Sequence, residues 1–352
     1  MPEKLSKKTR VIDVGGVLLG GGHPVRVQSM TNTDTSDIAT TLAQIKHLVE
    51  AGCEIVRVSV PDDDALAALP AIVKGAGVPV VADIHFNHKL AIGSLQAGAA
   101  CVRINPGNIG GTEKTLAVVK AAKDLGAAIR IGVNSGSLER DLLDKYGVSA
   151  EALAESASRY SELLESADFR NYKVSIKASN VAMSVAANEL FSAKSDVPLH
   201  IGITEAGTKR MGIIKSAVGI GALLLKGIGD TIRVSLTADP VDEIGAGFAI
   251  LNAAGLRQSG VEVISCPTCA RTKIDIITLA EKVEDMCAKI PRRLKVAVMG
   301  CVVNGPGEAR EADFGIAGGV GEGLLFAKGE ILKKLPEARL LDELMVLIKG
   351  SC

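Results

Sequence analysis

Short runs of β-branched and apolar residues alternate with segments of helical period along the first two-thirds of the chain. The runs Val25–Met30, Ile55–Val60, Val78–Ile84, Cys101–Asn105, Ala128–Val133, Lys173–Ala178, Leu199–Thr204 and Thr231–Leu236 read as strands. Between them, apolar residues recur at helix spacing: Ile38, Leu42, Ile45 and Leu48–Val49 form one face, and Leu116, Val119 and Ala122 another. Eight strand-then-helix units in roughly 250 residues predict a parallel (β/α)8 barrel of TIM type. An open doubly wound sheet is the alternative. It would normally carry its glycine-rich fingerprint after the first strand, whereas Gly20-Gly21-Gly22 precedes a strand and reads as a hairpin turn.

The barrel is expected over residues 1–254, closing with a helix over Asp239–Ala254. A small α/β unit is expected over residues 261–352. Its elements are a strand near Val261–Ser265, a helix over Ile274–Ile290, a strand at Leu294–Met299, two further short strands and a terminal helix over Leu340–Lys349.

The barrel strands repeat an apolar–Arg–apolar pattern at Arg26, Arg57, Arg103, Arg130 and Arg233. A strand covered on both faces tolerates charge only if it is paired, and the strands offer few acids, mainly Asp83 and Glu205. Side chains at the carboxyl ends of barrel strands converge on one mouth. There the sequence places Arg57, Asp83 with His85, Arg103, Arg130 with Asn134, Lys177, Thr204 with Glu205, and Arg233 with Ser235. Guanidinium forks suit phosphate oxygens, so the mouth reads as a phosphate or diphosphate pocket rather than a structural charge network. A carboxylate among cations is a poor phosphate ligand. Glu205 is therefore the candidate for proton transfer, and a salt bridge to a neighbouring Arg is its bland alternative.

Cysteine usage adds a second centre. Cys266-Pro267-Thr268-Cys269 is followed by Cys301 in Gly300-Cys301-Val302-Val303-Asn304-Gly305-Pro306-Gly307-Glu308. Three thiolates suit an iron–sulfur cube with one iron open to another ligand. Zinc and a redox dithiol remain open on spacing alone, although zinc lacks a fourth Cys or His because all five histidines lie at or before His200. Cys53, Cys101 and Cys287 sit among apolar residues and read as core thiols. Seven cysteines without a disulfide framework fit a reducing cytoplasm. Forty basic against forty acidic residues, three Tyr, six Phe and no Trp leave neither a basic face nor a stacking platform, so no nucleic-acid partner is expected. The chain shows no signal-peptide core or long apolar run, so no membrane partner is expected either.

Six segments, Gln28-Ser29-Met30-Thr31, Asp83-Ile84-His85-Phe86, Arg103-Ile104-Asn105-Pro106-Gly107-Asn108, Arg130 through Gly136, Thr204-Glu205-Ala206-Gly207 and Cys266-Pro267-Thr268-Cys269, together with Met299–Ala309, closely resemble the bacterial 4-hydroxy-3-methylbut-2-enyl diphosphate synthases of the non-mevalonate isoprenoid pathway. Thr208 departs from that pattern, where relatives often have a second glycine. The resemblance implies reductive opening of 2-C-methyl-D-erythritol 2,4-cyclodiphosphate with loss of water. It implies a [4Fe-4S] cluster held by Cys266, Cys269, Cys301 and Glu308, and reduced flavodoxin or ferredoxin as electron donor. It assigns the cyclic diphosphate to Arg57, His85, Arg103, Arg130, Lys177 and Arg233, with Asn134, Thr204, Ser235 and Asn304 adding hydrogen bonds, and proton transfer to Glu205. A pterin-type one-carbon barrel would bind anions but has no use for the cysteines. An electron carrier or zinc-stabilised module has no use for the arginines.

A barrel's eighth helix ends opposite its mouth. The six residues Gly255 to Gly260 span at most roughly 20 Å, too little for a comfortable route back. A head-to-tail homodimer with a site shared between chains is therefore expected, as the resemblance also implies.

Overall fold

The computed structural model describes residues 9–105, 107–257, 260–287, 290, 292–301 and 309–350. The chain divides into two compact units, Met1–Arg257 and Gln258–Cys352.

In the first unit a short antiparallel hairpin, β1 (Ile12–Val14) and β2 (Val17–Leu19), precedes eight parallel strands. These are β3 (Arg26–Met30), β4 (Ile55–Ser59), β5 (Val80–Asp83), β6 (Cys101–Ile104), β7 (Ala128–Asn134), β8 (Tyr172–Lys177), β9 (His200–Ile201) and β10 (Thr231–Ile232). They pair in the order β8-β7-β6-β5-β4-β3-β10-β9. A parallel bridge between Val174 and Leu199 brings the two edges of this sheet together. The expected barrel is present, and every strand read from the pattern has its counterpart.

The differences are local. Pairing in the last two strands stops at Ile201 and Ile232, so Thr204, Arg233 and Ser235 lie beyond the ladder. The hairpin turn lies at Gly15–Gly16 and not at Gly20–Gly22, which links β2 to the barrel. Hairpin residues Ile12, Val14 and Leu19 pack on Ile55, Val81, Cys101 and Ala128. Three of these four are first residues of strands, so the hairpin is an apolar plug at the amino-terminal end of the barrel. The lined cavity lies at the other end, where the strands finish.

The surrounding helices are α1 (Ile38–Glu50), α2 (Asp63–Gly75), α3 (His88–Gln96), α4 (Thr112–Asp124), α5 (Arg140–Tyr146), α6 (Ala150–Ser166), α7 (Val181–Lys194), α8 (Lys209–Leu225) and α9 (Pro240–Ala253). The short α5 is additional to the eightfold pattern. Asp37, Asp62, Asn87, Ser149, Asn180 and Asp239 each accept a hydrogen bond from a backbone N–H of the helix that follows, satisfying donors that a helix start leaves open. These caps fix where six of the helices begin; α4 and α8 start without a side-chain cap. On α1, Ile45 and Leu48 are buried as the spacing predicts, whereas Ile38, at the first position, is exposed.

The second unit contains β11 (Val261–Ser265), α10 (Ile276–Cys287), β12 (Leu294–Met299), β13 (Phe314–Gly318), β14 (Glu322–Ala327), β15 (Glu330–Pro336) and α11 (Glu337–Gly350). One sheet runs β11-β12-β13-β14-β15, parallel across its first three strands and antiparallel across the rest. Val283 and Cys287 of α10 and Leu340, Leu344 and Ile348 of α11 bury its Val296, Val298 and Ile316 face. Three strands follow β12 where two were expected. β15 is an edge strand, exposed along most of its length and carrying Lys333 and Lys334. It has no apolar alternation to reveal it, and charge of this kind protects a sheet edge.

Replacing the fully buried Leu19 with Ala should cost about 2–5 kcal/mol of unfolding free energy. A urea midpoint equal to that of the unaltered chain would mean that the hairpin is not part of the folded core.

Candidate active site

The carboxyl ends of the barrel strands enclose a cavity of about 170 Å3. All nine of the substrate-binding residues expected from the barrel line it: Arg57, His85, Arg103, Arg130, Asn134, Lys177, Thr204, Arg233 and Ser235. Asp83 and Ser175 complete the wall. Period-two geometry explains the convergence. Arg130, Gly132 and Asn134 share the inward face of β7, as Ser175 and Lys177 do on β8.

Five cations in so small a space require acids, and the structure supplies two. Asp83, almost fully buried, accepts from Arg103 Nη1 at 3.2 Å and lies 3.9 Å from Arg57 Nε and 3.4 Å from His85 Nε2. Burial alone would raise its pKa. The Arg57 guanidinium, the His85 ring and Arg103 outweigh burial and hold the carboxyl far below the ordinary range. The second acid, Glu243 in the first turn of α9, is the partner that the strand sequences do not contain. It takes Arg233 through a double contact, Nε to Oε2 at 3.1 Å and Nη2 to Oε1 at 3.2 Å. Ser29 Oγ donates to the same carboxylate at 2.8 Å, and the Leu236 backbone N–H donates to it at 3.1 Å. Arg233 is thus an ion-paired residue that also faces the cavity. Met30 Sδ accepts from Arg57 at 2.8 and 3.0 Å and lies 3.7 Å from Arg233 Nη1.

Arg26, a fifth instance of the strand pattern, belongs elsewhere. It begins β3 and pairs with Glu54 at 2.7 Å, at the plugged end of the barrel. There the structural reading of the pattern holds.

The two acids leave the mouth with a surplus of positive charge. Burial, and then the like charges of Arg233 and Arg103, push the Arg57 pKa down to about 10 despite Asp83. Arg130 is 1% exposed, and its Nε and Nη1 have no hydrogen-bond partner among the described residues. Arg103 Nε is likewise buried without one. Asn134, with its amide turned to satisfy both neighbours, accepts from Arg103 Nη2 at 3.0 Å and donates to the Val133 carbonyl at 3.3 Å. Unpaired buried guanidinium nitrogens are costly, and an anion seated in the cavity would satisfy them.

Two glycines make room for this arrangement. A Cβ on Gly132 would lie 2.6 Å from Arg103 Nε, and one on Gly202 would lie 2.5 Å from the Arg233 carbonyl oxygen and 3.0 Å from Lys177 Nζ. Cations approach the backbone here where any side chain would displace them.

Glu205 does not line the cavity. It stands exposed in the loop after β9, with a positive φ of 52°, and makes no ion pair among the described residues. The salt-bridge alternative is thus not realised. A left-handed backbone is uncommon for a residue with a side chain, and here it sets the direction of the Thr204–Gly207 loop.

In the second unit β11 and β12 are parallel, with Ser265 opposite Val298. Cys266 and the Gly300–Cys301 loop therefore emerge side by side from the same sheet end. The Gly300 backbone N–H donates to Cys266 Sγ at 3.2 Å, and the Lys273 N–H to the Gly300 carbonyl at 3.0 Å. Cys269 is exposed; hydrogen bonds from Arg271, chiefly its backbone N–H, lower its thiol pKa, favouring thiolate. None of the described cysteines is in a disulfide, and Cys53, Cys101 and Cys287 are buried as core thiols. Among the described residues no group of three or more His, Cys, Asp or Glu side chains is arranged to hold a metal ion. Glu308 and Asn304 lie outside the described residues.

Sequence reasoning missed Glu243, Ser29, Met30 and Ser175. Glu243 follows Asp242 in a first helical turn, where acids serve the helix dipole and attract no notice. The Gln28-Ser29-Met30 segment was the available signal, polar residues placed in a barrel strand.

The family model described as the GcpE TIM-barrel domain matches residues 9–248, and that of the GcpE protein C-terminal domain matches residues 262–350. A protein of Caldanaerobacter subterraneus subsp. tengcongensis called 4-hydroxy-3-methylbut-2-en-1-yl diphosphate synthase (flavodoxin) is 57% identical over 343 residues, covering 97% of both chains. Proteins of the same name from Geobacter sulfurreducens and Clostridium perfringens are 56% and 55% identical, covering 98% and 97% of this chain and 98% and 99% of their own. Among solved structures, Yersinia pestis dihydropteroate synthase covers 70% of this chain and 98% of its own at 15% identity, with a TM-score of 0.50. The sialic acid synthetase of Leptospira borgpetersenii serovar Hardjo-bovis covers 81% and 98% at 11% identity, with a TM-score of 0.51. At such low identity these two speak to the barrel alone, whereas the matches to both units and along nearly the whole chain show that the protein belongs to the GcpE family.

Proposed function

We propose that the chain performs the reaction for which these relatives are named. Cyclic 2-C-methyl-D-erythritol 2,4-diphosphate is opened reductively to (E)-4-hydroxy-3-methylbut-2-enyl diphosphate with loss of water, in cytoplasmic isoprenoid-precursor synthesis. The observation that carries this reading is the barrel mouth, where five cations face two carboxylates and buried guanidinium nitrogens of Arg130 and Arg103 lack partners. Residues 1–254 would bind the substrate diphosphate and residues 261–352 would hold the redox centre.

In this reading Arg57, Arg103, Arg130, Lys177 and Arg233 bind the phosphate oxygens. His85, Asn134, Thr204 and Ser235 orient the sugar-derived chain, and Asn304 adds a hydrogen bond. Neutralising these cations with a diphosphate removes their mutual repulsion, so binding and electrostatic relief coincide. Glu205, on its fixed loop at the rim, supplies the proton with which the C3 oxygen leaves as water.

Cys266, Cys269 and Cys301, with Glu308, would hold a [4Fe-4S] cluster. The donor set suits it: soft thiols on converging loops, one of them receiving a backbone N–H hydrogen bond. When bound, the cluster supplies two electrons singly and a Lewis-acidic iron, recharged by reduced flavodoxin, the donor in the relatives' name, or by ferredoxin. A carboxylate is a weak ligand for such an iron, so Glu308 would hold it less firmly than the three thiolates.

The working assembly in this reading is a head-to-tail homodimer with each site shared between chains. An apolar strip on α8 favours self-association: Met211, Ile214, Val218 and Leu225 are 50%, 49%, 58% and 64% exposed, beside a groove floored by small residues of α9.

The Cys301→Ser variant should lose the cluster, since two thiolates on one turn cannot hold a cube, while Glu308→Ala should retain part of it with low activity. Full iron and sulfide content in the Cys301 variant would remove that ligand assignment. Replacing Arg130 with Met should weaken substrate capture by about 1.5–3 kcal/mol, whereas Glu205→Gln should lower turnover more than binding. Unchanged turnover in the Gln variant would deny Glu205 its proton role. Mixing inactive Glu205 and Cys301 variants and allowing subunits to exchange should restore activity in mixed dimers. No recovery after proven exchange would place the whole site within one chain.

A further inference from the structure

Among the described residues Lys177, like Arg130, makes no ion pair with an acid. Its ammonium lies among Arg130, Arg57, Arg233 and Arg103, and it is 9% exposed. Its polar side-chain contact is an imidazole: Nζ lies 3.4 Å from His200 Nε2, at the long end of hydrogen-bond range. The other ring nitrogen, Nδ1, lies 2.9 Å from Thr231 Oγ1 on the neighbouring strand. His200 and Thr231 are both fully buried.

An ammonium only donates, so a ring nitrogen facing it must offer a lone pair. The ring proton must then sit on Nδ1 and point at Thr231 Oγ1. We propose that His200 is a positioning residue: a neutral imidazole, protonated on Nδ1, whose Nε2 lone pair holds the Lys177 ammonium with its remaining N–H bonds free for an anion. This inference rests on the diphosphate reading of the mouth for its purpose, though the tautomer can be measured without any ligand.

The groups facing His200 agree. Lys177 and Lys173 from β8, Arg130 from β7 and Arg57 from β4 all act on the ring as positive charges, and Thr231 from β10, in contact with it, is a neutral hydroxyl. Burial first, then these cations, push its pKa well below the ordinary histidine value, so an imidazolium is disfavoured. Burial, then the like charges of Arg130 and Arg57, lower the Lys177 pKa. An acceptor opposes that fall by favouring the charged form. Take it away, and Lys177 loses its proton at lower pH, so anion binding should weaken progressively as pH rises.

The first test is the 15N spectrum of the ring nitrogens in the full chain, with His200 assigned by comparison with His200→Gln. The expected signature is a protonated Nδ1 and an unprotonated Nε2, unchanged between about pH 6 and 8. A proton on Nε2, or a ring that titrates in that range, would overturn the proposal. The second test is calorimetric binding of inorganic pyrophosphate. His200→Leu should bind about tenfold more weakly, with the loss growing toward higher pH, while His200→Gln, whose amide oxygen can accept, should recover most of it. A His200→Leu variant that binds like the unaltered protein would refute the positioning role. If the unaltered protein fails to bind pyrophosphate, the diphosphate reading falls, and the 15N signature still decides the tautomer.

Discussion

Five cationic side chains brought to one end of a closed barrel impose the constraint from which most other features follow. Desolvated like charges repel strongly in a weakly polarisable interior, and the fold answers in several ways. Asp83 and Glu243 neutralise part of the charge, the second from a helix behind the strands. Softer acceptors take up more: the Met30 sulfur between Arg57 and Arg233, and the His200 ring beside Lys177. Gly132 and Gly202 leave space for the cations to separate. What remains unpaired among the described residues, chiefly on Arg130, is what the proposed anion would satisfy. The apolar hairpin plug lies at the opposite end of the barrel.

Much of this was legible in the chain. The beat of strands and helices is a periodicity signal carried by many residues, and all eight barrel strands emerge from it. The nine mouth residues were legible because a strand end in a barrel has a known destination, so position along the strand predicts position in space. What escaped has a physical reason in each case. Glu243 partners Arg233 across a strand-to-helix turn, and nothing local in Asp239-Pro240-Val241-Asp242-Glu243 distinguishes an inward acid from a solvated one. β15 lacks alternation because both of its faces are mostly exposed. The hairpin was misplaced because Gly15-Gly16 and Gly20-Gly21-Gly22 are equally good turn signals five residues apart, and the single apolar triplet between them, Val17–Leu19, was too short to weigh.

The second unit obeys a similar geometric rule. Parallel neighbours deliver their carboxyl ends to one side, so β11 and β12 set down Cys266 and Cys301 together, although thirty-four residues separate Cys266 from Gly300. Family membership and this placement support each other: one gives the chemistry expected of the cysteines, the other the reason a sequence can separate them so widely.

The central claim is that the barrel mouth is electrostatically incomplete until an anion occupies it. The most direct measurement is the denaturant midpoint of the full chain in increasing inorganic pyrophosphate, against sodium chloride at matched ionic strength. Specific binding to the native mouth should raise stability in a saturable, logarithmic manner, by about 2.7 kcal/mol at a hundredfold excess over the dissociation constant, with no comparable rise in chloride. Equal midpoints in the two salts would contradict the account, because the buried cations would then already be satisfied within the fold.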